Sequence, residues 1–172
     1  VAFKLSAAWE PQFVGRINNQ DISALQNIDY LIITKKELIS EAQRLANYHN
    51  SKNNFKTAVV DVEEIYNEYS SGSQDITAIR DFVTRLNSPT GTLKYVLLIG
   101  DSSFDFKNKL GKNKIVLPSY QSEYSLNLSG SYITDDYFVM TQPQTSTMLH
   151  QVLPDLPVGR LPAESLSEAK VL

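Results

Sequence analysis

One stretch decides the fold: Leu93-Lys94-Tyr95-Val96-Leu97-Leu98-Ile99-Gly100-Asp101. Its apolar run from Tyr95 to Ile99 lacks the polar alternation of a half-exposed strand. Such a run is typical of a central strand in a parallel sheet that is covered on both faces. Gly100 allows a turn or a close approach of the backbone, and Asp101 places a carboxylate at the edge where α/β sheets bind ligands. Asp101 is therefore either the cap of a turn or a site residue.

The composition indicates a globular domain. Of the 172 residues, 42% are hydrophobic and 20% are charged, enough to bury one ordinary core. The net charge of −3 and the lack of a basic stripe argue against nucleic acid as a partner. Because there is no cysteine, this chain by itself supplies no disulfide and no thiolate nucleophile. No membrane-spanning apolar run or signal peptide is recognised, and the patterns at Val1 and Leu172 read as an excerpt of a longer protein.

Two more buried strands are predicted before this stretch, at Tyr30–Ile33 and Thr57–Val62. Thr34 and Glu37 have the spacing of a capping box, which predicts that a helix begins directly after the first strand. His49 extends the apolar stripe of that helix. We interpret His49 as a packing residue, because no partner for catalysis is identifiable.

A second helical region is predicted between Thr57–Val62 and Leu93, starting with a short acidic turn at Glu63–Tyr69. Asp75 is a suitable N-cap for the main helix, whose core stripe has helical spacing: Ile79, Phe82, Val83 and Leu86. Crossovers of this length between buried strands imply parallel, right-handed connections. The predicted fold class is α/β, a small parallel sheet flanked by helices.

Residues 1–28 are interpreted as a linker or the end of an upstream β-rich region. Trp9, Phe13 and Val14 in this segment are expected to cover an edge of the fold. Residues 29–172 then form the α/β unit. Because the two parts differ in pattern, we place a domain boundary between them.

The part after Asp101 is predicted to contain a fourth strand at Ile115–Leu117 and a C-terminal β-hairpin formed by Tyr137–Met140 and Met148–Val152. Pro154–Pro162 reads as a compact loop, because glycine and proline punctuate it. A final capping box is formed by Ser165 and Glu168, at the start of a helix.

Carboxylates near strand ends are the candidate site residues. Asp135 and Asp136 are neighbours, so on a strand they point to opposite sides and make a poor acid–base pair. With Asp101, they are expected to line a cleft or to organise loops. Asp101 and Asp105 are oxygen ligands of the kind that calcium prefers, although two carboxylates alone are an incomplete site. No complete set of catalytic residues or phosphate-binding loop is present, and His150 has no evident partner.

Six stretches in this order resemble the gingipain-type cysteine peptidases: Asp29–Thr34, Glu64–Phe82, Leu93–Asp101, Ser103–Asn108, Thr134–Phe138 and Val158–Ala163. The resemblance implies that residues 29–172 are the first α/β subdomain of a caspase-like peptidase domain, truncated at its C-terminus. It also implies that the catalytic His and Cys lie in a second subdomain beyond Leu172. Neither His49 nor His150 matches them, so no catalytic residue is expected in this chain.

Within the family, the resemblance is to members that serve type IX secretion in Bacteroidetes. It implies removal of C-terminal sorting signals from cargo at the outer membrane or cell surface, and transfer of the cargo to lipopolysaccharide. The implied partners are the second subdomain, the cargo and other components of the secretion system. No cofactor is required, and a calcium ion at Asp101 and Asp105 is an optional addition. The second subdomain would dock on exposed apolar surface.

Two other classes stay open. The first is a non-catalytic protein-binding module derived from a degenerate peptidase, which the sequence downstream of the chain would distinguish. The second is a flavodoxin-like or receiver-like domain, which shares the β-α-β order. The second class is disfavoured because the parallel pattern gives way to a hairpin after Asp101.

Overall fold

The computed structural model describes residues 4, 8–13, 15, 16, 19–103, 105, 108–112, 117–122, 126, 130–142 and 153–172. The strands in these ranges are β1 (Tyr30–Thr34), β2 (Thr57–Asp61), β3 (Tyr95–Ile99), β4 (Tyr120–Gln121), β5 (Ile133–Thr134) and β6 (Val158–Leu161). The α-helices are α1 (Ile39–Asn53), α2 (Val62–Tyr69), α3 (Ile76–Leu86) and α4 (Leu166–Ala169). Short 3-10 helices lie at Ile22–Ala24, Lys36–Leu38 and Asp136–Val139.

The main sheet has the strand order β2-β1-β3-β6, and each neighbouring pair in it is parallel. The stretch that decides the fold becomes β3, which lies between β1 and β6 and is buried from Val96 to Ile99. Both sheet faces are covered, as a continuous apolar run requires. The predicted α/β fold class with a small parallel sheet is therefore confirmed.

Two apolar cores lie on the opposite faces of the sheet. Leu98 points into the larger core with α2 and α3, whereas Leu97 and Ile99 point into the smaller core with α1 and α4. The stripe predicted for α3 is confirmed, because all four of its residues are buried. Burying each such side chain contributes about 1.5–3 kcal/mol relative to exposure, so the α3 stripe anchors the larger core.

The caps of α2 and α3 come from aspartates. Asp75 accepts a hydrogen bond of 2.8 Å from the N–H of Thr77, which confirms its predicted role. The side chain of Asp61 accepts a hydrogen bond of 3.1 Å from the N–H of Glu63 and caps α2. Strand β2 therefore ends at Asp61, one residue before its predicted end. Val62 is therefore the first residue of α2 rather than the last of a strand.

The predicted capping box at Thr34 and Glu37 is wrong. Thr34 is fully buried in β1, and its hydroxyl donates to the carbonyl of Ile99 at 2.7 Å. A hydroxyl that water cannot reach needs such a partner. The chain instead enters α1 through the 3-10 helix Lys36–Leu38, whose cap residue Lys35 makes no side-chain capping bond.

This difference can be tested with two substitutions next to α1. Thr34→Val should lower the free energy of unfolding by about 1 kcal/mol, because it removes a buried hydrogen bond. Glu37→Ala should change it by less than about 0.5 kcal/mol, because Glu37 is an exposed residue without a capping bond. Urea unfolding of both variants measures this. A larger loss for Glu37→Ala than for Thr34→Val would restore the capping box.

The stretch around Tyr137 differs from its predicted strand. Residues Asp136–Val139 form a 3-10 helix, and Tyr137, Phe138, Val139 and Met140 are all buried. The N–H of Phe138 donates to the carbonyl of Asp135 at 3.0 Å, which is the i to i+3 hydrogen bond of a 3-10 helix and not a bond to a neighbouring strand. An antiparallel pair, β4 with β5, lies in this C-terminal half. The second half of the predicted hairpin, Met148–Val152, falls outside the described residues, as do Ile115 and Val116 of the predicted fourth strand.

The prediction of a loop at Pro154–Pro162 is confirmed for residues 154–157, which lie outside helices and strands. It is wrong for residues 158–161, which form β6. Gly159, Pro157 and Pro162 gave a loop signal. In fact β6 lies at one end of the strand order, where prolines next to a strand are tolerated. The N-cap role of Ser165 is confirmed, since its hydroxyl accepts the N–H of Glu168 at 3.3 Å. The carboxylate of Glu168 reaches back one residue further than a capping box requires, to the N–H of Glu164 at 2.7 Å.

At the N-terminus, Trp9 and Phe13 are 98% and 85% exposed, so they do not cover an edge as predicted. Val14, the third residue of that prediction, lies outside the described residues. Ile22 is the first described residue that joins the larger core.

Candidate functional site

The carboxyl edge of the sheet is organised by Arg160 of β6. Its Nε and Nη2 donate to the two carboxylate oxygens of Asp135 at 2.8 and 2.7 Å. Its Nη1 donates to the carbonyls of Gly100 and Leu117 at 2.8 and 3.0 Å, and Nη2 also donates to the carbonyl of Pro118 at 3.0 Å. All five N–H groups of the guanidinium are thus used. We call Arg160 with these four partners the Arg160 hub.

The Arg160 hub is largely shielded from water. The side chains of Arg160 and Asp135 are 12% and 18% exposed. A shielded ion pair is stable only with good geometry and with its remaining donors satisfied. Here the bidentate bond to Asp135 gives the good geometry, and the three carbonyls satisfy the remaining donors. The hub therefore fixes three loops: one after β3, one before β4 and one after β5.

Arg160 was missed by the sequence interpretation, which placed Asp135 in a cleft or loop-organising role. The two residues are 25 positions apart, and no local spacing connects them. The available signal was an arginine between apolar residues in Val158–Leu161. A lone charge in an apolar segment needs a partner, and the carboxylate of Asp135 is that partner.

Asp101 connects the end of β3 to two neighbouring segments through its main chain. Its N–H donates to the carbonyl of Ala163 at 3.2 Å, and its carbonyl accepts the N–H of Leu117 at 2.8 Å. The Oδ1 of Asp101 accepts the N–H of Ser102 at 2.8 Å. Gly100 before it has φ +144°, a conformation that suits glycine. The side chain of Asp101 thus lies in the turn that it helps to form.

Asp105 organises the next loop. Its two carboxylate oxygens accept the N–H groups of Lys109 and Leu110 at 2.9 and 2.7 Å. Across the described ranges, no group of three Asp, Glu, His or Cys side chains is arranged to hold a metal ion. Calcium at Asp101 and Asp105 therefore stays a prediction.

The two adjacent acids, Asp135 and Asp136, have different surroundings. Asp136 is exposed, and its N–H donates to the hydroxyl of Thr134 at 3.1 Å. Of the two, only Asp135 bonds to Arg160 and belongs to the Arg160 hub. The structure therefore separates the pair, and it gives no arrangement in which both carboxylates meet one substrate atom.

An aromatic stack supports this edge from the α3 side. The ring of Tyr137 lies 5.0 Å from that of Tyr120, and the guanidinium of Arg80 is 4.8 Å from the centre of the Tyr137 ring. The hydroxyls of Tyr137 and Thr77 are 3.2 Å apart. Stacking and cation–π contacts of this kind add to apolar burial, so they fix the 3-10 helix against α3.

The segment after β6 packs near the carboxyl ends of β3 and β1. In open α/β sheets, cofactors bind outside the carboxyl ends of strands where the strand order reverses. Here the segment after β6 lies beside the end of β3, since Ala163 is 1% exposed and its carbonyl accepts the N–H of Asp101. The following helix α4 contacts the 3-10 helix Lys36–Leu38, which follows β1. This packing argues against the flavodoxin-like alternative.

His49 lies at the opposite, amino edge of the sheet. Its ring is 5.0 Å from that of Tyr30, and its Nδ1 is 3.2 Å from Oδ1 of Asn53. His49 therefore packs among aromatic rings, as predicted. His150 lies outside the described residues.

Glu68 of α2 binds the segment Gln20–Ser23, which precedes β1. Its carboxylate accepts the N–H of Ile22, the N–H and hydroxyl of Ser23, and the side-chain amide of Gln20, at 2.8, 3.1, 2.8 and 3.0 Å respectively. Burial alone would raise the pKa of Glu68, but these hydrogen bonds outweigh it and leave the pKa lowered. The charged form is thus the one that binds the segment.

The attachment of this segment should depend on pH. Because the folded pKa of Glu68 is lowered, its stabilising effect is present above the unfolded value of about 4.3 and is lost as the pH falls through the folded value. We expect hydrogen exchange at Ile22 and Ser23, corrected for intrinsic rates, to accelerate over this range. Glu68→Gln should accelerate it already at neutral pH. Glu64→Gln is the matched control, and an equal effect there would contradict the assignment.

The chain belongs to Peptidase family C25, the gingipain family, whose profile matches residues 23–172. The matched residues form the parallel α/β unit whose carboxyl-edge loops are held by Arg160. Among solved structures, it is similar to dimeric latent PorU from Porphyromonas gingivalis, with a TM-score of 0.81 and 31% identity. The similarity covers 97% of this chain and 17% of the PorU chain, so the chain spans a small part of that protein.

A search among curated proteins found no match. Within the described residues, none of the helices has both the length and the apolar content needed to cross a membrane.

Proposed function

We propose that this chain is the scaffold subdomain of a C-terminal signal peptidase and sortase of type IX secretion. The family match over residues 23–172 carries the proposal, and the similarity to PorU supports the narrower assignment. The chain contains no cysteine, so the nucleophile of such an enzyme has to come from another part of the protein.

The reaction of the whole enzyme is acyl transfer. A cysteine thiolate attacks the carbonyl of the scissile peptide bond, and a histidine gives a proton to the leaving amine. Water or an amine then resolves the acyl-enzyme. In this proposal, the Arg160 hub positions the loops at Asp101, Asp135 and Asp136, which form one wall of the substrate cleft.

The proposed partners are the second peptidase subdomain, cargo with C-terminal sorting signals and other components of the secretion system. The proposed location is the outer membrane or cell surface of a Gram-negative bacterium. Leu166 and Val171 are 38% and 87% exposed, which supports a docking surface for the second subdomain near α4.

No cofactor is proposed for the scaffold itself. Calcium at Asp101 and Asp105 does not fit well as the side chains stand. Both carboxylate oxygens of Asp105 and one of Asp101 already accept main-chain N–H groups. Calcium needs six or more oxygen ligands, and these two residues do not provide them.

The test uses the whole gene-encoded protein that contains this chain. We expect it to cleave a cargo protein ahead of its C-terminal signal, and to lose cleavage when a histidine or cysteine outside residues 1–172 is replaced. The 172-residue chain alone should not cleave the cargo. If the whole protein has no such pair, or if replacing the pair leaves cleavage intact, the proposal fails. A cargo-binding protein without cleavage would instead support a degenerate, non-catalytic module.

A further inference from the structure

A pocket of about 520 Å³ lies at the amino-terminal side of the sheet, away from the Arg160 hub. We call it the Arg85 pocket. One wall is the segment of residues 25–28, which leads into β1. The other wall is formed by the end of α3 and by the connection from α3 to β3. The volume is in the range of small-molecule sites in proteins, so a ligand of that size fits into the Arg85 pocket.

The walls of the Arg85 pocket are set by the fold of the domain. Ile28 and Leu86 are buried, and Leu25 packs against the larger core. On the other side, a Cβ on Gly91 would overlap the carbonyl oxygen of Leu86, so glycine is required where the connection passes close to the end of the helix. The N–H of Gly91 also donates to the carbonyl of Ser88 at 2.7 Å. The pocket therefore does not depend on a ligand for its shape.

Arg85 is the only charged side chain among the described residues that line this pocket. It is half-buried, and its Nη1 donates to the carbonyl of Leu25 at 3.3 Å. A guanidinium has five N–H donors. The other four have no hydrogen-bond partner in the part of the chain that the structure describes. Most of the guanidinium is therefore available to a ligand.

The two carboxylates next to the pocket in the sequence are paired with other cations. Asp81 lies four positions before Arg85 in α3, but its Oδ1 is 3.7 Å from Nε of Arg80. Asp29, the residue before β1, is 2.8 Å from Nζ of Lys94. No described carboxylate forms an ion pair with Arg85, so its charge is not neutralised within these residues. The dipole of α3 favours a cation in its last turn, but it does not occupy the guanidinium donors.

Hydroxyl groups and an apolar surface complete the lining of the pocket. The hydroxyls of Ser88 and Thr90 are 3.5 Å apart, at the outer limit of a hydrogen bond, so both can donate to a ligand. Leu25, Ile28 and Leu86 supply the apolar surface. An arginine with nearby hydroxyls suits the oxygens of a carboxylate or a phosphate group, whereas the apolar side chains suit an uncharged body.

We propose that the Arg85 pocket binds a small organic anion through its carboxylate or phosphate group. The guanidinium of Arg85 donates to two oxygens of this group, and the hydroxyls of Ser88 and Thr90 donate to it from the connection between α3 and β3. The uncharged body of the ligand packs against Leu25 and Ile28. No acidic side chain among the described residues lines the pocket, so none of them repels the anion. This site is remote from the carboxyl edge and does not depend on the proposed peptidase activity.

The test uses the whole gene-encoded protein and three probes: phenyl phosphate, phenylacetate and the uncharged alcohol phenylethanol. We expect saturable binding of at least one of the anions by isothermal titration calorimetry, and no binding of the alcohol. Arg85→Gln should weaken the binding at least about tenfold, as expected when charge-assisted hydrogen bonds are lost. The bound anion should also slow hydrogen exchange, followed by mass spectrometry, in peptides that cover residues 25–28 and 86–92.

Arg44→Gln is the matched control, because the side chain of Arg44 is 61% exposed, pairs with Glu41 and lies on α1 across the sheet. Its affinity for the anion should stay within about twofold of the wild type. Gln26→Glu is a second test that remains if Arg85→Gln does not fold. Gln26 is exposed, lines the pocket and makes no side-chain hydrogen bond to a described residue. The added negative charge should weaken anion binding at least about threefold, because like charges repel.

Four results would overturn the proposal. They are no saturable binding of either anion, equal affinity for the alcohol, equal losses in Arg85→Gln and Arg44→Gln, and unchanged binding to Gln26→Glu. Protection from exchange that is confined to peptides outside the Arg85 pocket would contradict it as well. Tighter binding of one anion than of the other supports the proposal and identifies the group that the pocket prefers.

Discussion

Arg160→Met is expected to lower the free energy of unfolding by about 3–5 kcal/mol, the usual loss when one partner of a buried ion pair is removed. The carboxylate of Asp135, which is only 18% exposed, would lose both of its hydrogen bonds from the guanidinium. The carbonyls of Gly100, Leu117 and Pro118 would lose their donor as well. Urea unfolding followed by circular dichroism measures the loss.

Two further variants separate charge from geometry at the Arg160 hub. Arg160→Lys keeps the charge but cannot make the bidentate bond and the three carbonyl bonds together. It should therefore recover only part of the stability. The double variant Arg160→Met/Asp135→Leu should be more stable than Arg160→Met alone, because no unpaired charge remains. If Arg160→Met costs less than about 1 kcal/mol, as an exposed pair would, the hub is not the organising contact.

Phe138→Ala is expected to cost about 3–5 kcal/mol, as for other buried aromatic residues. Phe138 is fully buried in the larger core, and the 3-10 helix that carries it packs against α3. The cavity would also loosen the turn that positions Asp135, so cleft-dependent cleavage in the whole enzyme should fall too. Thermal and urea unfolding give the stability change.

The neighbouring residue supplies the control. Asp136 lies in the same 3-10 helix but is exposed, and its contact to Thr134 uses its N–H rather than its side chain. Asp136→Ala should therefore change the free energy of unfolding by less than about 0.5 kcal/mol. Similar losses for Phe138→Ala and Asp136→Ala would contradict the helical turn and favour a different local structure.

Elements with strong local patterns were predictable. The continuous apolar run of β3 predicts a strand that is covered on both faces, and the spacing from Ile79 to Leu86 predicts the buried side of α3. Asp75 has the local signature of an N-cap. In each case, the information is contained in residues only a few positions apart, and the structure confirms all three.

The failures occur where distant residues decide. Thr34 had a capping signature, but its hydroxyl bonds to the buried carbonyl of Ile99, which is close in space and 65 positions away in the sequence. β6 has loop-like glycine and proline, yet pairing with β3 makes it a strand. Asp135 was recognised as a candidate, but its orientation follows from Arg160, whose position depends on that pairing.

By itself, the sequence determined the parallel α/β framework, the caps of its clearest helix and the resemblance to the family. Apolar runs and helical spacing act over a few residues, and burial of their apolar surface leaves few alternative arrangements. Only the tertiary structure decided that Val158–Leu161 joins the sheet and that Arg160 gathers the loops of the carboxyl edge. It also decided that His49 packs among aromatic rings at the amino edge of the sheet. These features depend on main-chain and charged groups that meet across long sequence separations, where each finds the partner that its burial requires.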